Sequence, residues 1–352
     1  MAALGRLRVS DLSMNPIHCL TFDIEEHFHV AAFDSPMRRR HWNQIESRVQ
    51  QTTERLLAVL EQEHVRATFF VLGWVAERHP RLVQAIAHNG HELASHGYAH
   101  ELITAQTPSR FREDVRRAKG ILEDLIGAPV LGYRAPSFTI TAETSWAFPI
   151  LVEEGYHYDS SVPRNQPLPP TAPRRKSKPG TVGVFPCLPT GSGTLWEIPP
   201  STIQIAGVRM SLAGDGYFRL LPYGLLLRLL KWGGADGQPL VMCLRSWELD
   251  PDQPRMRGRL LSRLRHYVNL HKTEDRLIHL MNEFSFGPIR EAIAPMRFLY
   301  EEGAEPCRTT AHSPRTKWAP SASESLSRTS KLGRGSPGPR PGKNPTSSDQ
   351  EE

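Results

Sequence analysis

The chain has 352 residues, 39% of them hydrophobic, and a formal charge of +6. That is room for one large domain or two smaller ones with a substantial core, and no apolar run reaches the ~18 residues that a membrane span needs. The positive charge is no nucleic-acid signature: from Pro306 onward eight Lys/Arg face four Asp/Glu, so the tail holds +4 and the body only +2. In chain order, Ile17–Asp23 is an apolar strand ending in an acid. Asn43–Glu63 has helical periodicity through Ile45, Val49, Leu56, Leu57 and Leu60. Ala67–Leu72 is a second strand, followed by a helix through Glu77–His88. Glu92–Ser95 is a third strand. Thr107-Pro108 is a cap followed by a first-turn proline, and it opens a helix to about Ile126. Pro129–Arg134 is a fourth strand, Thr141 opens a helix to about Glu154, and Tyr156–Ser160 is a fifth strand.

Strand and helix alternate at least five times, which calls for a parallel sheet with right-handed crossovers. Asp23, His96, Arg134 and Asp159 all fall at strand C-termini, as in a barrel whose top face holds the site. The pattern loosens after Ser161. Val162–Gly180 reads as a long loop, Leu195–Ile205 as a strand interrupted by prolines, and Met210–Phe218 as a turn beside a strand. Leu221–Trp232 is helical, Leu240–Leu244 is a buried strand ending in Arg245-Ser246-Trp247-Glu248, and Leu260–Phe286 carries helices. The expected organisation is a flexible leader 1–14, a barrel 15–250, a helical extension 251–296 packed on it, and a disordered tail 297–352. Ser, Pro and Gly make up 20 of the last 47 residues, a composition that buries too little apolar surface to order itself.

Two stretches carry the chemistry. HELASHGYAH holds His96 and His100 at a spacing that would put both imidazoles on one side of a helical turn. LTFDIEEHFH at Leu20–His29 is dense in carboxylates. Two neutral imidazoles and one carboxylate would hold one divalent metal with a position open for water. His27 and His29 read as polar rim residues. The opening MAALGRLRVSDLSMNP lacks the apolar centre of a secretory signal. The four cysteines, Cys19, Cys187, Cys243 and Cys307, form no CxxC pair. Both features point to a cytoplasmic protein.

LTFDIEE, SHGYAH, GYRAPSF, YDSS and LRSWELDPDQPR resemble the motif series of the polysaccharide deacetylases, the family-four carbohydrate esterases. GYFRLLP and RHYVNL are similar to the C-terminal extension of the exopolysaccharide-associated subgroup whose loci encode exosortases. The resemblance covers roughly residues 15–294. It implies an α/β fold of distorted (β/α) barrel type. It also implies a metal-dependent N-deacetylase that acts on an N-acetylated exopolysaccharide or a lipid-linked oligosaccharide precursor, from the cytoplasm or at the inner membrane periphery. Asp23 would be the base, and His96 and His100 metal ligands with Glu25 or Glu26; Glu25 is preferred because two residues along a strand return to the face of Asp23. Zinc is the first choice of metal, cobalt or nickel the alternatives. Arg134 would hold the base, Asp159 would orient the catalytic histidine, and the turn Pro136, Ser137 and Phe138 would supply an oxyanion N–H from Ser137 or Phe138.

One motif departs from the family. Leu-His-Pro on the last barrel strand reads Leu244-Arg245-Ser246. Arginine holds its proton and cannot act as the general acid, and losing that acid costs about 10²–10⁴-fold in rate. Arg245 could instead pair with Asp159, attract an anionic sugar or stabilise the oxyanion. A slow enzyme and a catalytically impaired glycan-binding protein are therefore the two expectations, with a small-molecule amidase as a third. Trp247 leads the candidate sugar platforms, followed by Trp146, Trp196, Tyr217 and Phe218.

Overall fold

The computed structural model describes residues 17–33, 39–162, 185–190, 193–205, 208–211, 216–233 and 239–294. The expected leader and tail lie outside them, as does most of the expected loop after Ser161. The elements run β1 (His18–Ile24), α1 (Val49–Gln62), β2 (Thr68–Val71), α2 (Gly73–Arg78), α3 (Pro80–His88), β3 (Glu92–Ser95), α4 (Pro108–Ile126), β4 (Gly132–Tyr133), α5 (Ala147–Glu153) and β5 (Tyr158–Asp159). There follow β6 (Phe185–Thr190), β7 (Gly193–Glu197), β8 (Thr202–Ile205), β9 (Val208–Ser211), α6 (Tyr217–Leu220), α7 (Tyr223–Gly233), β10 (Val241–Arg245), α8 (Leu260–Tyr267), α9 (Thr273–Glu283) and β11 (Phe286–Gly287).

The main sheet is ordered β10-β1-β2-β3-β4-β5-β7-β6, with β11 added to the start of β1. All pairs are parallel except β6 with β7. This is a curled, incomplete barrel. The antiparallel β6 was not expected from sequence. Its Pro186 and Pro189 suit an outer strand, where a missing ladder donor is tolerated. Strands β8 and β9 form a separate antiparallel pair.

Several helix limits moved for local reasons. The segment expected over 43–63 becomes α-helical only at Val49, after a single 3-10 turn at Trp42–Gln44, and the Glu26 carboxylate accepts from Arg48 N–H just before the helix starts. The helix expected from Glu77 divides at His79-Pro80, since proline at the first position of α3 cannot continue α2. Thr141 opens a turn rather than a helix, with its N–H donating to Thr144 Oγ1 at 2.8 Å. By contrast α4 keeps its expected start, where Thr107 Oγ1 accepts from Arg110 N–H, and it ends at Gly127 in the left-handed region.

Register places the site. Asp23 pairs with Arg245 across β1 and β10, Tyr133 with Asp159 across β4 and β5, and Asp159 with Glu197 across β5 and β7. The C-terminal strand ends therefore form one polar row. Beneath it the sheet is apolar, with Leu20, Phe22, Phe69 and Val71 fully buried. Gly132 admits the Tyr158 ring, and a Cβ built there would stand 2.1 Å from its Cζ. Gly132→Ala is therefore expected to destabilise the fold by about 2–3 kcal/mol through overpacking. Urea denaturation measures it, and an unchanged midpoint would show that the ring moves aside freely.

Candidate active site

Arg134 is fully buried at the end of β4, and each of its three guanidinium nitrogens donates a hydrogen bond. Nη1 donates to Asp23 Oδ1 at 2.8 Å and lies 2.8 Å from Thr21 Oγ1 and 3.2 Å from Cys243 Sγ. Nε and Nη2 donate to the Ser160 carbonyl and hydroxyl. The guanidinium also lies over the Phe70 ring at 3.9 Å. Burial pushes the Asp23 carboxyl up, but Arg134, His96 and Arg245 outweigh it and hold the group below the ordinary range. Asp23 is thus an ionised carboxylate with a fixed rotamer.

His96 and His100 do not lie on a helical turn, which corrects the expectation from their spacing. The chain after β3 bends at Gly97 (φ +76°) and again at His100 (φ +50°). Asp114 on α4 clamps the bend by accepting from the N–H groups of Tyr98 (2.8 Å) and Ala99 (3.4 Å). A side chain at Gly97 would meet Asp114 Oδ2 at 2.7 Å. Asp114 went unnoticed in the sequence, although a carboxylate one position from the buried Phe111, Val115, Ala118 stripe was the available signal.

His96 Nδ1–H donates to the Arg134 carbonyl at 2.8 Å, which leaves Nε2 bare. His100 Nε2 stands 2.8 Å from Glu25 Oε2. That oxygen is buried without a well-directed hydrogen-bond donor. Among the described residues, one ligand atom from each of Glu25, His96 and His100 falls within 4.8 Å of the others, and all three residues are buried. An imidazole nitrogen facing an unsatisfied carboxylate oxygen beside a bare second imidazole suits a divalent cation, so the donor set fits the expected metal.

The two acids after Ile24 diverge. Glu25 turns to the histidines, and its Oε1 accepts from Trp247 Nε1 at 3.1 Å and pairs with Arg245 Nε at 3.2 Å. Burial raises its carboxyl and the His100 and Arg245 charges reverse the sign, leaving it well below the usual range. Glu26 turns away. It accepts from Ser47 Oγ and from Arg48 N–H at 3.0 Å, closing the start of α1.

Other expectations change. His27 and His29 are buried rather than rim residues. His29 Nδ1 accepts from Glu26 N–H, and its ring lies among Phe28, Trp42, Trp74 and His100. Trp247 is no open sugar platform; it is buried, with one face stacked on His266 at 4.1 Å. Trp196 and Phe218 are buried as well, and Trp146 packs edge-on to Phe111. Tyr217 is half-buried on α6, with the Arg265 guanidinium 5.9 Å from its ring. In the turn after Arg134, Ser137 and Phe138 both take positive φ. The Phe138 N–H donates to the Ala135 carbonyl at 3.1 Å, so Ser137 is the better placed candidate for an oxyanion donor. Arg245 is engaged by Glu25 and Glu248.

Asp159 faces Glu197, a residue the sequence reading missed although it is the lone acid in the apolar LWEIPP. Both are fully buried, and Asp159 Oδ2 and Glu197 Oε2 are otherwise unsatisfied. Burial pushes Asp159 up to about 6 and Glu197 well above its ordinary range. Facing carboxyls this deeply buried favour holding one proton between them. Ser161 Oγ–H donates to Asp159 Oδ1, and Ala135 N–H donates to Ser161 Oγ at 2.7 Å. The pair thus braces the turn that holds Ser137.

Residues 19–149 match the family described as Polysaccharide deacetylase, and residues 172–294 match a domain of unknown function. Residues 19–149 are thus similar to the polysaccharide deacetylase family. The chain is 30% identical over 115 residues to a peptidoglycan deacetylase from Helicobacter pylori, covering 33% of this chain and 38% of that one. It is 36% identical over 75 residues to a peptidoglycan-N-acetylglucosamine deacetylase from Bacillus cereus, covering 21% and 27%. The chain thus spans well under half the length of these relatives. A crystal structure from Mycobacterium smegmatis, described as a candidate polysaccharide deacetylase, superposes with a TM-score of 0.53 at 21% identity over 82% of this chain and 91% of that one. The deacetylase fold thus extends past the family match at residue 149.

Two tests follow from this geometry. His96→Ala should weaken binding of added Zn²⁺ by more than the about 10–100-fold that losing an outer hydrogen bond costs; calorimetry reads it, and unchanged affinity would remove His96 from the ligand set. A carboxyl that holds its proton more tightly when folded stabilises the fold at low pH. For Asp159 that contribution is complete below its unfolded value of 3.8 and is lost as pH rises through about 6. Glu197→Gln, which imitates the protonated acid, should flatten the fall in melting temperature between about pH 5 and pH 8. An unaltered slope would reject the shared proton.

Proposed function

We propose that the chain is a metal-dependent N-deacetylase that removes acetyl groups from N-acetylated sugars of an exopolysaccharide or its precursor. The observation that carries this reading is the Glu25, His96, His100 donor set beside an Asp23 held ionised by Arg134. The peptidoglycan deacetylases similar to the chain support an N-acetylglucosamine unit as the reacting sugar. The exopolysaccharide assignment rests on the motif resemblance of residues 216–222 and 265–270.

A divalent cation at Glu25, His96 and His100, zinc by preference, would polarise the acetyl carbonyl and acidify a water. Asp23 takes the proton of the attacking water. Arg134 keeps Asp23 charged and aimed, and the Arg134 carbonyl keeps His96 in the tautomer that leaves Nε2 bare. The Ser137 N–H stabilises the developing oxyanion. Trp247 and Arg245 steady Glu25 from its far oxygen. The leaving amine needs a proton, and Arg245 cannot give one. Asp23 must return it, so one carboxylate serves as base and then as acid, and turnover is slow.

A second reading, a catalytically impaired glycan-binding protein, is favoured by the Arg245 contact with Glu25, which puts a fixed positive charge beside the metal position. Acetate release from N-acetylglucosamine oligomers with added Zn²⁺ or Co²⁺ separates the two. The enzyme reading expects release that is abolished by a chelator and lost in Asp23→Asn. Arg245→His should raise kcat by about tenfold or more. No release from either parent or Arg245→His protein would leave the binding reading standing.

A further inference from the structure

Helix α8 presents its leucines outward. Leu260, Leu261 and Leu264 are 80%, 77% and 60% exposed, whereas His266 on the same helix is buried. At about 100° per residue the three leucines span an arc of about 100°, and His266 lies roughly opposite its centre. Arg263 and Arg265 fall on the two flanks of that arc, and both are exposed, as are Arg255, Arg257 and Arg259. Between Asp252 and Glu274 the sequence has five arginines, one lysine and no acid.

We propose that α8 is an interfacial helix that docks the protein on an anionic lipid surface, leucines toward the acyl boundary and arginines on headgroup phosphates. An apolar arc flanked by arginines on a short helix is the pattern such docking requires. Charge alone would suit any polyanion, including an acidic glycan. The leucines decide between them, because three adjoining aliphatic side chains gain from an acyl layer and little from a hydrated sugar. Single exposed leucines are ordinary on a soluble surface; three on one face of one helix are not.

The inner face of α8 leads to the site. His266 stacks on Trp247, and Trp247 donates to Glu25, so two side chains separate the docking helix from the metal position. Docking brings that side of the site to the headgroup layer. Resting on the deacetylase reading, this narrows the substrate class to a glycan carried on a lipid.

Co-sedimentation of the full chain with phosphatidylcholine vesicles containing about a third phosphatidylglycerol, against pure phosphatidylcholine, tests the surface. The parent should bind the anionic vesicles, more weakly as salt rises, and leave the neutral ones. The triple variant Leu260→Ser, Leu261→Ser, Leu264→Ser keeps every charge yet should lower partitioning roughly tenfold or more. Arg259→Gln with Arg263→Gln should weaken binding and reduce its salt dependence. No binding by the parent would overturn the proposal. So would undiminished binding by the serine variant, which would mark a surface for polyanions such as acidic glycans. Melting temperature and acetate release from a soluble N-acetylglucosamine oligomer should match the parent in both variants. Vesicle binding without acetate release would retain the docking helix and defeat the enzyme reading; release without binding would do the reverse.

Discussion

The buried ion pair of Arg134 with Asp23 is the constraint on which the rest of the polar row depends. Two charges removed from water cost several kcal/mol each unless geometry and further hydrogen bonds offset it. Here the offset comes from the surrounding strands: Thr21 on β1, Cys243 on β10, and Ser160 just after β5 all meet the guanidinium. A shift of any one strand by a residue would leave a buried charge unmatched. The same residue's carbonyl fixes His96. Arg134 therefore couples the position of Asp23 to that of His96, with side chain and main chain each performing one task.

A second polar system lies on the other side of the Arg134 turn. Asp159 and Glu197 confront each other across paired strands, and Ser161 links them to Ala135. The motif resemblance implied that Asp159 would orient a histidine, but its partner here is another carboxyl. The charge balance of the top face changes with it. Arg245 puts a permanent cation where the motif resemblance implied a titratable histidine, and that cation is compensated by Glu25 and Glu248. The buried Arg219 and Glu248 pair at 2.7 Å extends the network to α6 and, through His266 and Val268 carbonyls, to the residues around α8.

Much of this was legible in the sequence. Apolar runs such as ATFFVL and the capped Thr107-Pro108 start fixed the alternation of strands and helices, because burial and capping act locally. Asp23, His96 and Arg134 could be singled out because each is a polar residue at the end of a strand run, and His100 by its four-residue spacing from His96. What could not be read was direction. Glu25 and Glu26 are neighbours of identical chemistry, and only the placement of α1, whose start takes the Glu26 carboxylate, sends one inward and the other away. The spacing of the histidines suggested a helix, yet two positive-φ positions and a clamp from α4 make the meeting instead.

The sequence by itself determined the order of elements, the chemical types at the strand ends and the absence of the expected histidine at Arg245, since these depend on residue identity and local periodicity. Only the tertiary structure decided the partners: Glu197 for Asp159, Asp114 for the histidine bend, His266 for Trp247 and open solvent for the leucines of α8. Those choices join residues far apart in the chain, and they follow from strand register and helix packing, which no local pattern encodes.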